Sequence, residues 1–262
     1  MTINKVTVSQ KKPGKSKAPA VDSSILMLDL LASTTYPLTL TEMCAQTAIP
    51  LASGHRIISV LLEQQMVALD PGRKKSYCLG SKIFQIASTV YNRQSIIPFF
   101  YPIAEILKNE LHKSVFLCMP VGSKVVVISK VESSINQAIN LFIGQTLAMH
   151  SSASGQAILS MYSQQTQQSY MQIEQKQDPN ITLQFAQIEQ SIARSKLLGY
   201  SVAHDQADPQ VSHIAAPILN LRNEPVAAIG IAMTSEGLSP QLSRSYSKNL
   251  IQAARQLSSR II

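Results

Sequence analysis

The chain has 262 residues, 45% hydrophobic and 15% charged, with a formal net charge of +8, which predicts a soluble globular protein of one large or two modest domains. Its longest apolar runs, Val115 to Met119 and Val125 to Ile128, fall far below the roughly 20 residues of a membrane span. Residues 1–20 carry lysines without an apolar export core, so a cytoplasmic location and no membrane partner are expected.

The excess charge is unevenly placed. Residues 1–20 hold Lys5, Lys11, Lys12, Lys15 and Lys17 and no acid, whereas residues 21–82 hold five basic and five acidic side chains. Rich in Lys, Pro and Ser, residues 1–20 read as a disordered basic tail, able to add nonspecific phosphate contacts. The three cysteines, Cys44, Cys78 and Cys118, sit in apolar patterns without a CxxC pair, so they read as reduced packing residues rather than zinc or redox ligands.

Residues 21–82 form a compact helical unit. "SSILMLDLLAS" places Ile25, Leu28 and Leu31 at i, i+3 spacing, the pattern of an amphipathic helix. Thr39 and Glu42 then stand three apart as a capping box opening a short helix from Leu40 to about Thr47. "AIP" breaks the chain, and a third helix runs from Leu51 to about Gln65. "MVALD" and "SYCL" read as strands flanking the turn from Pro71 to Lys75. Three helices followed by a basic-tipped hairpin is the order of a winged helix-turn-helix.

At 100° per residue the third helix places Gly54, Ile57, Ile58 and Leu61 on one side and Ala52, Ser53, Arg56, Ser59 and Glu63 on the other, with His55 at the edge. A mid-helix glycine costs roughly 1 kcal/mol relative to alanine, so Gly54 is expected to admit a close crossing by the second helix. The outward face is small and polar, suited to the approach of a DNA groove. Ser53, His55, Arg56 and Ser59 would supply donors there, and Arg73, Lys74 and Lys75 would form the basic wing.

Residues 83–98 read as a linking helix, followed by Pro98 and Pro102. Within residues 99–262, "YPIAEILKNELHK" is an amphipathic helix. "SVFLCMP" and "SKVVVISKVE" flank Val121 and Gly122 as a hairpin, and "QAINLFIG" is a further strand. "SASGQAILSMY" and "LQFAQIEQSIARSKLLG" are helices, the second stopped by Gly199. "VSHIAAPILN" and "PVAAIGIAM" form a second hairpin before a long closing helix. Hairpins imply an antiparallel sheet with helices laid across it, an α+β domain.

The run "LDLLAS…PLTLTEMCAQTAIPLASGHRIISVLLEQQMVALD…YCLG", with "MHSSASGQAILSMY" and "GYSV…IAAPILNLRNEPVAAIGIAM", resembles the isocitrate lyase regulator (IclR) family of bacterial transcription factors. The resemblance runs from about residue 22 to 262. It implies an N-terminal winged helix, a linker helix used in dimerisation, and a GAF-like C-terminal effector domain. The partners it implies are double-stranded promoter DNA, a small organic acid and further copies of the chain, as a homodimer or dimer of dimers. No cofactor and no enzymatic activity are expected. The usual Lys-Ser-Thr-Val before His-Arg is replaced by Leu51, Ala52, Ser53 and Gly54, leaving His55 and Arg56 as the matching pair.

The resemblance also implies an effector site on the loop "HSSASGQA", where Ala153, Ser154 and Gly155 would present backbone N–H groups to a carboxylate. The family's other contacts fall on Ala203, His213, Gly230 and Ala232. Acid-binding relatives often place an aspartate, a cysteine or serine, and two serines there. A less polar, roomier pocket is therefore expected, with His213 as its main polar group and a bulkier or aromatic acid as ligand.

Catalytic and metal readings are weaker. His204, Asp205, Asp208 and His213 are of metal-ligating type, but loop acids beside a strand histidine are more often unrelated. Ser154 lies in "SASGQ", not in a G-x-S-x-G elbow. The rival to a ligand-responsive DNA-binding regulator is a sensor or interaction module that kept the fold and lost sequence-specific DNA binding.

Overall fold

The computed structural model describes residues 17–91, 96–134, 141–177, 185–205, 208–235 and 238–261. Residues 1–16 of the basic tail and residues 92–95 of the segment expected to link the two halves lie outside these ranges. The chain divides into two compact units, Met1–Arg93 and Gln94–Ile262.

The first unit runs α1 (Pro19–Ser33), β1 (Leu38–Thr39), α2 (Leu40–Thr47), α3 (Leu51–Glu63), β2 (Val67–Leu69), β3 (Ser76–Leu79) and α4 (Ser81–Tyr91). The three strands form an antiparallel sheet of order β1-β3-β2. The capping box is present in full: Glu42 N–H donates to Thr39 Oγ1 at 3.3 Å, and Thr39 N–H donates to Glu42 Oε2 at 2.7 Å. Ala48 then takes a left-handed conformation with φ 56°, which turns the chain sharply before Pro50 and α3.

Gly54 faces inward as expected. A Cβ there would lie 2.4 Å from Cys44 Sγ and 3.3 Å from Leu40 Cδ1, so the glycine leaves room for the side chains of α2 where the two helices cross. The buried face of α3 is Gly54, Ile57, Ile58 and Leu61. The face of α1 differs from the expectation. Met27 and Leu31 are buried, whereas Ile25 is 51% exposed. Six residues of helix separate Ile25 from Leu31 by about 120° of rotation, while the i, i+4 pair Met27 and Leu31 differ by only about 40°.

The second unit contains α5 (Ile97–Leu111), β4 (Ser114–Val121), β5 (Lys124–Val131), β6 (Thr146–Ala148), α6 (Ala153–Leu159), α7 (Gln164–Gln177), α8 (Phe185–Leu198), β7 (Ser201–His204), β8 (Val211–Leu219), β9 (Pro225–Thr234) and α9 (Pro240–Ser258). The six strands form one antiparallel sheet of order β6-β5-β4-β9-β8-β7. Strand alternation divides the core into two layers. Val115, Leu117, Ile229 and Ile231 pack with Phe100 and Leu107 of α5 and Leu250 and Leu257 of α9. Phe116, Cys118, Ala228 and Ala232 face the other way, onto Ile158, Met171, Ile188 and Ile192.

Four sequence expectations shift. Helix α5 begins at Ile97, before the expected Tyr101, so Pro98 falls in its first turn, where the N–H is unpaired in any helix and a proline removes nothing, while Pro102 lies inside the helix as the sequence pattern had placed it. The strand expected over 137–144 is not seen in its described part, where Gln145 N–H donates to Phe142 O and Gly144 has φ 91°. Pairing resumes at β6, and residues 137–140 lie outside the described ranges. Helix α7 was not anticipated, because glutamines leave little apolar periodicity. Strand β7, four residues at the sheet edge, was also missed.

Candidate DNA-binding face and effector cavity

On α3, His55, Arg56 and Ser59 are exposed and Ser53 is half-buried. Ser59 Oγ donates back to His55 O at 2.8 Å, which keeps its hydroxyl close to the helix surface. Among the described residues no ion pair engages Arg56, Lys74 or Lys75. All are available to an external anion.

Arg73 behaves differently from the other wing residues. The wing turn is set by Asp70, whose Oδ1 accepts from Gly72 N–H at 2.9 Å and Arg73 N–H at 2.7 Å. The Arg73 guanidinium then reaches back, donating to Pro37 O at 2.6 Å and to Glu42 Oε1 at 2.7 Å. The Arg73 bond to Glu42, with those from Thr39, holds the Glu42 carboxyl down at about 2. Arg73 thus fastens the wing to the capping box of α2, and the wing cations without an ion pair among the described residues are Lys74 and Lys75.

In the second unit a cavity of about 160 Å³ opens between β6, the loop before α6, and the ends of β7 and β8. His213, Asp205, His204, Ser151, Ser152, Gln145 and Thr146 are its polar lining. His213 stands between Ala203 and Ala232 in the strand register. Its ring meets Phe116 edge-on, centroids 5.3 Å apart. Phe116 reaches that position because position 230 is glycine: a Cβ there would come within 2.4 Å of Phe116 Cζ. Gly230 therefore buttresses the histidine through Phe116.

Phe116 takes up part of the room left by the small residues. An apolar cavity of about 150 Å³ admits one benzene-sized ring, so the space suits a compact ligand of at most one ring.

The electrostatics of His213 follow from its surroundings. Its side chain is 5% exposed, Nδ1 lies 3.9 Å from Asp205 Oδ2, and Nε2 is buried without a hydrogen-bond partner among the described residues. Burial pushes its pKa down and the Asp205 carboxylate pulls it up; the net shift is downward. The ring is therefore neutral at neutral pH. An unpaired buried polar atom is costly, and Nε2 is the place where a ligand would recover that cost.

The segment Ala153, Ser154 and Gly155 departs from the sequence reading. All three are buried, and the Gly155 N–H donates to Ser152 Oγ at 3.1 Å. A Cβ on Gly155 would fall 2.2 Å from Met149 O, so this glycine allows close backbone packing. Its N–H is not offered to a carboxylate. Ser154 Oγ is buried without a hydrogen-bond partner; the thiol of Cys118, a weak partner pushed up to about 12 by burial, lies beside it.

Glu174 was missed from the sequence. This buried carboxylate on α7 accepts from Met149 N–H at 3.0 Å, His150 N–H at 3.0 Å and Lys124 Nζ at 3.4 Å, and pairs with His150 Nδ1 at 2.8 Å. Burial alone would raise its pKa; the hydrogen bond and charge of His150, the Met149 amide and Lys124 together lower it. Gln156 Nε2 donates to His150 O at 3.0 Å. Between them, Glu174 and Gln156 fix the loop that carries Ser151 and Ser152. Among the described residues no group of three His, Cys, Asp or Glu side chains is placed to hold a metal, and no helix is long and apolar enough to cross a membrane.

A three-helix unit with a polar-faced third helix and a basic hairpin, followed by an α+β unit around a six-stranded sheet, defines a winged helix-turn-helix transcriptional regulator. Residues 20–71 match the IclR helix-turn-helix domain and residues 88–259 match the C-terminal domain of bacterial IclR transcriptional regulators. The chain belongs to the IclR family. It is 26% identical over 253 residues to the HTH-type transcriptional regulator KipR of Bacillus subtilis, covering 93% of this chain and 98% of that protein. It is 21% identical over 257 residues to the transcriptional repressor IclR of Escherichia coli, covering 94% and 93%. The fold is shared with an IclR homolog from Microbacterium hydrocarbonoxydans solved with 4-hydroxybenzoate, at a TM-score of 0.71 and 14% identity over 92% of this chain and 98% of that one.

Proposed function

We propose that this transcriptional regulator reads its operator through the outer face of α3 and answers to a compact organic acid of at most one ring. In this reading Arg56, His55, Ser53 and Ser59 enter the groove, Lys74 and Lys75 contact phosphate, and the lysines of residues 1–20 add nonspecific attraction. Residues 21–82 form the DNA-binding domain, 83–98 the linker and dimerisation helix, and 99–262 the effector domain. The protein acts as a homodimer or dimer of dimers in the cytoplasm, without catalysing a reaction.

The observation that carries the effector assignment is His213, buried with Nε2 unpaired at a cavity of about 160 Å³. With Asp205 beside Nδ1, a neutral ring presents Nε2 as an acceptor. It takes a ligand hydroxyl directly, or a carboxylate together with a proton. Ser151, Ser152, His204, Gln145 and Thr146 complete the polar lining, while Ala203 and Ala232 leave room on either side of the ring. The single-ring acid carried by the Microbacterium structure is of the size this cavity admits.

Binding to a labelled duplex from the promoter beside its own gene, at physiological salt with excess unrelated DNA, tests the reading. Specific binding should survive competition by roughly 10³-fold or more. Arg56→Ala should weaken it about 5- to 150-fold if Arg56 reads a base, and equally on all duplexes if it contacts phosphate. Hydroxybenzoates and short aliphatic acids should change that affinity, and the response should vanish in His213→Phe. Complete competition would sink operator reading by α3. A response unchanged in His213→Phe would sink the assigned cavity.

A further inference from the structure

A second cleft in the effector unit has no counterpart in the reading above. It encloses about 500 Å³ between α8, the edge strand β7 and the start of α9, within the range of roughly 300 to 1,000 Å³ typical of small-molecule sites. Two cations border it, Arg194 from α8 and Arg244 from α9, and no acidic side chain lines it. Neither guanidinium is in an ion pair among the described residues. Below them the buried side chains of Ser195, Ser201 and Ser243 give the floor a polar character. Leu197, 86% exposed, forms an apolar rim.

We propose that this cleft is a second ligand site, for a small organic dianion, a phosphate monoester or a dicarboxylate with a short apolar part. The charge requirement sets the class. Two arginines on separate helices, unopposed by acids, are matched by two negative charges, and each guanidinium binds a carboxylate or phosphate edge through paired donors. Helix α9 opens at the same place. Its first turn carries no acid, so its N-terminal partial charge adds to the same field. The exposed leucine accounts for the apolar part of the ligand.

The cleft is wired to the cavity at His213. Gln156, which borders the cleft, donates to His150 O and so helps hold the loop bearing Ser151 and Ser152. Ser201, from the cleft floor, donates to Ala153 O at the start of α6. His204 lines both spaces, with Nδ1 2.9 Å from Ser212 Oγ. A dianion drawn against these groups would shift the loop shared with the first cavity, so occupancy of one site should change affinity at the other, reciprocally.

The test uses the full-length protein with inorganic phosphate and succinate as probes, against chloride at matched ionic strength. Thermal unfolding and titration calorimetry are compared for the native chain, Arg194→Gln/Arg244→Gln, and Lys74→Gln/Lys75→Gln. Both anions should stabilise the native chain beyond chloride. The arginine pair should lose about tenfold or more in anion affinity, and the lysine pair should retain it. Because both arginines are exposed, each single variant should fold and give an intermediate loss. The proposal is overturned by three results: equal binding in the arginine and native proteins, loss in the lysine pair instead, or a changed oligomeric state of the arginine variant without any anion binding by the native chain. The last would make the cleft a contact between copies. None of these readouts involves His213 or promoter DNA, so the proposal stands or falls apart from the effector assignment.

Discussion

Each unit contains a carboxylate that ties a distant segment to a turn, and the two are built alike but embedded differently. Glu42 accepts from the backbone and hydroxyl of Thr39 and from Arg73 of the wing, with its side chain 39% exposed. Glu174 accepts from two consecutive amides, Met149 and His150, and from His150 and Lys124, with its side chain 1% exposed. Water competes for every bond of Glu42 and for almost none of Glu174. The first clamp therefore positions the wing at small energetic stake, while the second is a condition for the effector unit's loop to exist in this form.

Removing Glu174 should have the largest effect that this comparison predicts. Glu174→Ala leaves two amides and the His150 ring buried without acceptors, at a cost of about 3 to 5 kcal/mol, the scale of breaking a buried charge pair. Glu174→Gln keeps the shape and one acceptor oxygen, and should cost about 1 to 3 kcal/mol. Chemical denaturation that separates the two units checks both. An Ala variant as stable as the native chain would show that the clamp is dispensable.

The close-packed glycines sharpen the same contrast. Gly155→Ala sets a methyl against the fixed backbone of Met149, 2.2 Å away at the oxygen, and should cost about 3 kcal/mol. Gly54→Ala meets a side chain, Cys44 Sγ at 2.4 Å, and gains about 1 kcal/mol in helix propensity. Its net cost should be about 1 kcal/mol, and Gly54→Ala/Cys44→Ala should recover part of it. If Cys44→Ala gives no relief, the crossing is limited by backbone.

The same contrast explains what was legible in the sequence. The Glu42 clamp was half readable, because Thr39 and Glu42 are three residues apart and the capping box is a local pattern. Its Arg73 arm was not, since no periodicity links positions 31 apart; the basic turn suggested a cation for DNA instead. Glu174 was wholly invisible. Its partners lie 24 to 50 residues away, and its own helix is too polar to announce a buried face. The inward face of α3, the role of Gly54, both hairpins and the family were readable from spacing and motif. Of the cavity's lining, His213 had been singled out for the pocket, whereas His204 and Asp205 stood out only as residues of metal-ligating type and were set aside as unrelated, and Ser152's use of the Gly155 amide appears only in the folded loop.

His213 contributes a smaller effect that depends on pH. Its folded pKa lies below the ordinary histidine value of about 6.5 because burial disfavours the cation. Below about pH 6.5 the unfolded chain binds a proton that the folded ring refuses, so the stabilisation present above that pH is lost as pH falls toward the folded pKa. The slope is at most about 1.4 kcal/mol per pH unit. His213→Asn should flatten it between pH 7 and 5. A carboxylate seated at Nε2 would favour the cation, so its affinity should rise as pH falls and binding should take up a proton, measurable by calorimetry in buffers of different ionisation enthalpy. Absence of both effects would remove His213 from the ligand's path.

Arg73→Ala should have the smallest effect on stability and a visible one on DNA. The pair is exposed, so its contribution should shrink further as salt screens it. Because Glu42 is held at about 2 instead of its usual 4.5, whatever the pair adds is present above pH 4.5 and is lost only as pH falls toward 2. The wing, released from the α2 cap, should sample more positions. Promoter affinity should then fall by a similar factor on specific and unrelated duplexes, with no change in base preference, since Arg73 acts through the placement of Lys74 and Lys75. Glu42→Gln should reproduce part of that loss although it removes no cation from the wing, which a direct phosphate contact by Arg73 would not predict.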